Sequence, residues 1–337
     1  STRISPARNT MTVHLEDIKQ AARRLQGVAI KTPLLSSAPL NERLNAKVFI
    51  KPECLQHIGA FKFRGAYNRL CQLSVEQRAK GAVAFSSGNH AQGIAYAAKL
   101  LGMSATIVMP SDAPMIKKEG TERLGATIRL YDRATESRED IAADIAAASG
   151  AVLVPAFDDV DVIAGQGSCG LEIMQQLSEL GCVPDAVLSP CGGGGLLAGL
   201  STAIKESNNA VKVYGVEPEN YDDHRLSKAA GRRIKIDPQQ GTSCDALMAA
   251  QPGEITWGIN SKTVDDFLVV NEEEIAHAVS FAFRYLKLVV EPGGAVALAA
   301  LLHNKLDISG ATAAIVLSGG NIDSESFATC LRQHPAP

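Results

Sequence analysis

The sequence has no apolar run long enough to cross a bilayer, and its first residues lack the basic-then-apolar order of a secretory signal. A cytoplasmic protein with no membrane partner is therefore expected. Neither sign of charge dominates: 33 Lys and Arg against 36 Asp and Glu leave a formal net charge of -3, so nothing in the balance calls for nucleic acid. Small molecules become the expected partners. The seven cysteines, at 54, 71, 169, 182, 191, 244 and 330, form no C-x-x-C pair and have no nearby His cluster of zinc-binding spacing. They read as reduced, mostly buried thiols. Internal repeats and low-complexity tracts are missing too, which excludes solenoids and linker-joined arrays.

What is present is a chain of 337 residues, 46% hydrophobic and 20% charged, long enough for two lobes that each bury a core. Short β-branched runs alternate with longer amphipathic stretches, as in βα units around a mostly parallel sheet. The expected strands are 48–51, 82–85, 106–109, 127–130, 152–154, 186–189, 211–216, 267–270 and 313–317. Helical spacing of apolar residues marks LEDIKQAARRLQ, HAQGIAYAAKLLG, RATESREDIAADIAAASG, GLEIMQQLSELG and NEEEIAHAVSFAFRYLKL, several closed by Gly. The stretch 225–262 shows little periodicity and is expected to wind over a surface or around the mouth of a site.

Three expected strands run into Gly/Ser/Asn clusters: SSGNH after Phe85, PCGGGG after Ser189 and SGGN after Leu317. Ligands of open parallel sheets sit outside the carboxyl ends of the strands, so three such clusters suggest one composite site. In PCGGGGLLAG, consecutive glycine amides at a helix start suit an anion such as phosphate. No Lys-Ser/Thr follows, so it is not a Walker loop. A dinucleotide loop competes evenly, because the next strand ends in Glu217, placed to meet a ribose.

GAFKFRGAYNRL sets Lys62 between two aromatics, where lost hydration would lower its pKa and prepare it for Schiff-base formation; alone, such a lysine is more often a surface residue. In SSGNHAQG the serine hydroxyls and helix-start amides can hold a carboxylate, although a lone cap and a satisfied His90 are the simpler reading. Ser318, in VLSGGN, offers a neutral hydroxyl or forms an ordinary turn. EPENYDD, from Glu217 to Asp223, groups four carboxylates: a hard-cation site, a ribose acid, or a solvated loop.

Taken together and in order, GAFKFRGAYN, SSGNHAQG, PCGGGGLLAG, EPENYDD, EPGGA and SGGN resemble the fold-type-II pyridoxal-phosphate (PLP) enzymes, in the serine racemase and threonine dehydratase branch, from about Leu15 to about Leu331. The resemblance implies an α/β fold with two open, mostly parallel sheets wrapped by helices. Residues 1–59 and 158–337 would form the large PLP-binding domain and 60–157 a small, mobile one; a homodimer is implied as well. Lys62 would be the Schiff-base lysine, Phe61 would pack on the pyridine ring, and Asn89 would bond its hydroxyl. Gly192, Gly193, Gly194, Gly195 and Leu196 would cradle the phosphate, Ser318 would meet the ring nitrogen, and Glu291 would line the site. Ser86, Ser87, Asn89 and His90 would hold the substrate carboxylate, with Ser87 also placed to act on the opposite face.

The activity implied is dehydration of a β-hydroxy amino acid, such as L-serine or L-threonine, to a 2-oxo acid and ammonia. An amino-acid racemase or a 3-hydroxyaspartate dehydratase is the alternative within the family, and an NAD-binding oxidoreductase lies outside it. Glu217, the carbonyl of Tyr221 and Asp223 match the family's divalent-cation site for Mg2+ or Ca2+. Arg138 matches a position near the substrate that could attract a second carboxylate, or it pairs on the surface with neighbouring acids. Two departures bear on the pocket: Val154-Pro155-Ala156-Phe157-Asp158-Asp159 replaces a His-Pro-Phe-Asp-Asp pattern, and Gly293-Gly294 replaces bulkier residues.

Overall fold

The alternation of β-branched runs and apolar-striped stretches produces two separate sheets. The computed structural model describes residues 11–86 and 88–337, so Ser87 lies outside the described residues. The strands are β1 (Leu35–Ser36), β2 (Lys47–Pro52), β3 (Ala82–Phe85), β4 (Ala105–Pro110), β5 (Thr127–Tyr131), β6 (Val152–Leu153), β7 (Ala186–Pro190), β8 (Lys212–Pro218), β9 (Asp266–Val270) and β10 (Thr312–Leu317). The larger sheet runs β1-β2-β10-β7-β8-β9 and the smaller β5-β4-β3-β6. Only the β1–β2 pairing is antiparallel. The fold is the expected α/β, two-sheet class.

Each sheet has its own core. Every residue of the helix Pro292–Leu302 is buried beneath the larger sheet, which explains why it shows no polar face. Phe63, Leu70, Ile94, Ile107 and Met109 fill the smaller one. The helix Lys62–Leu70 joins the two regions, and its buried Arg64 donates to both oxygens of buried Glu53, Nη2 to Oε2 at 3.0 Å, and also pairs with Glu172. Removing one partner would strand a buried charge, so this network fixes the first turn of that helix.

Several features differ from the sequence reading. The helix containing GLEIMQQLSELG starts far earlier, spanning Val160–Glu179. Its glycines suggest a break, yet they permit close packing: a Cβ on Gly165 would stand 2.6 Å from the Arg64 carbonyl oxygen. Tertiary contact overrides propensity there. The stretch 225–262 is irregular only in its middle, since the helices Asp223–Ala230 and Glu254–Thr263 take its ends. The long helix expected over 271–288 stops at Phe281 and continues as a π turn, Ala282–Leu286. The two-residue β1 is too short to carry a period. All seven cysteines are free, but only Cys169, Cys191 and Cys244 are buried, with the other four partly exposed. Among the described residues, no helix is long and apolar enough to cross a membrane.

Candidate active site

The ends of β3, β7 and β10 are brought together by backbone contacts around Lys62. The Phe61 amide donates to Ser318 O at 3.1 Å and Gly320 N to Gly59 O at 2.9 Å, binding the lysine's loop to the SGGN turn. Glu291 N donates to Gly319 O at 3.1 Å, which adds the EPGGA segment. Asn89, at the start of the helix Asn89–Leu100, donates through Nδ2 to Glu291 Oε1 at 2.9 Å and accepts from Asn321 Nδ2 at 2.7 Å. Gly93, one helical turn on, lies so near the Lys62 backbone that a Cβ would be 3.2 Å from its carbonyl carbon.

Lys62 is the first residue of its helix, an unfavourable place for a cation beside the positive helix end. Its ammonium donates to Ala156 O at 2.7 Å and lies 5.2 Å from the centre of the Phe61 ring. Burial lowers its pKa from 10.5 to about 8. No carboxylate pairs with it among the described residues, so a neutral amine is accessible near neutral pH. Burial drives Glu291 the other way, up to about 7, against the opposing hydrogen bond from Asn89.

The glycine loop follows β7 and leads into the helix Gly195–Ser207. Its carbonyls are turned outward: Thr256 Oγ1 donates to Gly193 O at 2.7 Å and Asn260 Nδ2 to Gly194 O at 3.2 Å. Among the described residues, the amides of Gly192, Gly193 and Gly194 have no acceptor. Side chains are excluded from this cradle, since a Cβ on Gly193 would fall 2.1 Å from the Phe157 ring, and Gly194 has a φ of +98°. Amides without a partner at a helix start fit a phosphate. The strap Ala156-Phe157 therefore connects the two halves, with its carbonyl on Lys62 and its ring on the loop.

Other expected residues are placed less simply. Ser86 Oγ accepts from Gly88 N at 3.1 Å and so shapes the turn. The His90 ring is committed to Val154 O at 3.0 Å, and burial with the nearby Lys62 charge lowers its pKa to about 3. With Nε2 so engaged, the His90 backbone amide at the helix start is the group suited to an anionic ligand. Arg138 begins the helix Arg138–Ser149, half-exposed, pairing with Glu139 at 3.1 Å and lying 5.1 Å over the ring of Phe85, next to Ser86. The surface pairing is thus present, close to the SSGN turn.

Glu217 is fully buried, and its two oxygens accept from His224 N and Arg225 N at 2.8 and 3.0 Å. A carboxylate so enclosed cannot meet a ribose, which removes the dinucleotide reading. Buried Asp223 has no hydrogen-bond partner on either oxygen, and burial raises its pKa to about 8. Tyr221 sits between them, its amide on Pro218 O at 3.0 Å.

Several positioning residues escape sequence reasoning. Thr256 and Asn260 orient the glycine loop, while Asp158 caps the helix that carries them by accepting from Glu254 N at 2.9 Å. Their partners are roughly 60 to 100 residues away, beyond the reach of local pattern. Asn321 had a signal, its place in SGGN.

A lysine with a lowered pKa beside a phosphate cradle, at the strand ends of this two-sheet fold, defines a fold-type-II PLP enzyme. The model of the family described as "Pyridoxal-phosphate dependent enzyme" matches residues 12–319, and the chain belongs to that family. It is 42% identical to an L-threo-3-hydroxyaspartate ammonia-lyase of Saccharomyces cerevisiae, over 94% of this chain and 95% of that one. It is 45% identical to an L-threonine ammonia-lyase of Thermotoga maritima, over 92% of this chain and 76% of that one. The solved structure of maize serine racemase superposes with a TM-score of 0.89 at 36% identity, covering 96% of this chain and 98% of that one.

Proposed function

We propose that the chain is a PLP-dependent ammonia-lyase that takes water, then ammonia, from a small β-hydroxy amino acid. The observation that carries this reading is Lys62: a partly buried, desolvated amine with its pKa lowered to about 8 and, among the described residues, no paired carboxylate, adjoining a cradle of amides that have no acceptor there. Bound there, PLP supplies the electron sink that makes an α-proton acidic. Gly192, Gly193, Gly194, Gly195 and Leu196 would hold its phosphate, Phe61 would pack on the ring, and Asn89, braced by Glu291 and Asn321, would donate to the ring hydroxyl. Ser318 would face the ring nitrogen with a hydroxyl, which does not hold that nitrogen protonated and so favours elimination over transamination.

The substrate carboxylate would lie at the SSGN turn, on the Ser86 hydroxyl and the first amides of the helix, those of Asn89 and His90. Lys62 Nζ takes the proton from the α-carbon and delivers one to the departing β-hydroxyl, so that water leaves. Hydrolysis of the released enamine gives the 2-oxo acid and ammonia. By the family resemblance, Ser87 is the residue that would return a proton from the second side of the substrate to give the other enantiomer. Arg138, beside that turn on the Phe85 ring, would receive the second carboxylate of a 3-hydroxyaspartate.

Glu217, the Tyr221 carbonyl and Asp223 would hold Mg2+ or Ca2+, supported by the two partnerless, buried oxygens of Asp223. We further propose two domains, 60–157 and the remainder, in a cytoplasmic homodimer; gel filtration at twice the mass of a single chain tests the pairing.

The deciding experiment incubates the PLP-loaded enzyme with L-serine, L-threonine and L-threo-3-hydroxyaspartate. Ammonia and 2-oxo acid in equal amounts support a lyase. Appearance of only the opposite enantiomer would replace it with a racemase, and no turnover of any of the three would remove the proposal.

A further inference from the structure

On the face of the larger domain formed by helix Glu272–Phe281 and the end of the chain, three histidines converge. Glu273 and His277 are four residues apart on that helix, with His277 Nε2 and Glu273 Oε1 separated by 4.0 Å. His334, which ends the helix Ser324–Gln333, brings a third donor, and one ligand atom from each residue lies within 4.8 Å of the others. The His303 ring, at the end of the buried helix Pro292–Leu302, stacks on His277 at 5.3 Å with planes 16° apart.

This cluster does not satisfy itself. Among the described residues, His277 Nδ1 and His303 Nε2 are buried with no hydrogen-bond partner, and His277 Nε2, which faces Glu273 at 4.0 Å, is the ring nitrogen on the side of the other two donors. Its framework is nonetheless fixed. Buried Ser280 donates to His334 O at 2.6 Å and to Cys330 O at 3.1 Å, so helix Glu272–Phe281 itself holds the backbone of the third donor. Arg43 donates to Pro337 O at 2.8 Å, holding the residues beyond it. Lys305 pairs with Glu274 at 2.8 Å rather than with Glu273.

We propose that Glu273, His277 and His334 form a binding site for a transition-metal ion of the Zn2+ class, clamping the C-terminal helix onto helix Glu272–Phe281. Two imidazoles and a carboxylate are the donor set that such ions prefer over Mg2+ or Ca2+. Bonds of about 2.0–2.2 Å would set the donors roughly 3.3 Å apart, a closure that the exposed Glu273 side chain can supply. The stacked His303 restrains the plane of the His277 ring, whose Nε2 faces Glu273. A fourth position remains for water. The site lies apart from Lys62 and the glycine loop, so its occupancy should bear on stability of the C-terminal helix, not on turnover.

The test uses the PLP-loaded full chain, stripped of metal, and follows thermal unfolding with and without Zn2+ for the wild type, His334→Ala and Glu273→Gln. The expected result is a rise of about 3 °C in wild-type Tm on adding Zn2+, lost in both variants, with turnover unchanged. Glu273→Gln alters an exposed side chain and keeps the test open should truncation of His334 loosen the tail. Equal Zn2+ responses in all three proteins would place the ion elsewhere, for instance at Cys191, Glu217 and His224, and overturn the proposal. So would a wild type that does not respond.

Discussion

Asn89 donates to Glu291 across 2.9 Å and thereby ties the turn after β3, in the smaller sheet, to the segment entering the helix beneath the larger one. The acceptor is a buried carboxyl whose pKa rises to about 7 because burial opposes its ionisation. In the unfolded chain it ionises near 4.5, so the folded protein loses stability as pH rises from about 4.5 to about 7. Glu291→Gln keeps an acceptor for Asn89 without the charge. It is expected to remove that fall and to raise Tm above pH 7, by an amount equivalent to at most about 3 kcal/mol. Thermal melts at pH 5 and pH 8 check the sign: a variant less stable than wild type at pH 8 would contradict it.

Gly193 faces Phe157 so closely that a methyl group would fall 2.1 Å from the ring. Gly193→Ala is expected to cost about 1–3 kcal/mol of stability and to release PLP during dialysis, because the strap must move off the loop. Adding Phe157→Ala should restore most of the loss, a non-additive outcome read by a double-mutant cycle.

Arg138 stacks on Phe85 beside the SSGN turn and, among the described residues, is otherwise paired only with its sequence neighbour Glu139. If its guanidinium reads a second carboxylate, Arg138→Ala should lower kcat/KM for L-threo-3-hydroxyaspartate by about 10–100-fold and leave L-serine nearly unchanged. Equal losses for both substrates would assign it no part in selection.

Much of the fold is legible in the sequence. Nine strands were readable because each carries a run of β-branched or small apolar residues, and each glycine cluster sits at a strand's end as parallel-sheet geometry requires. What was not legible depended on distance along the chain. Helix Val160–Glu179 hides its first half behind glycines whose purpose is contact with Arg64 and Gly199. Thr256, Asn260 and Asp158 steer the glycine loop from segments with no periodic signal. The set at Lys62 was readable only in combination, since a lysine next to a phenylalanine says little until its loop is pinned to Ser318.

With the cofactor removed, Lys62 is a partly buried, desolvated cation whose pKa is lowered to about 8 in the folded state from 10.5 in the unfolded one. The folded state is therefore penalised at pH 7, and the penalty fades as pH climbs from about 8 to about 10.5. Lys62→Met should raise the Tm of the cofactor-free protein at pH 7, with the advantage shrinking toward pH 10. A constant difference across that range would mean the amine is not desolvated.

The most direct measurement is turnover of β-hydroxy amino acid by Lys62→Ala, supplied with excess PLP, beside borohydride reduction of the wild type followed by peptide mass spectrometry. The expected result is a fall in kcat of at least about 10³-fold, with the reduced cofactor found on residue 62 of the wild type. Turnover within tenfold of the wild type, or a cofactor fixed to another lysine, would contradict the role assigned to this amine.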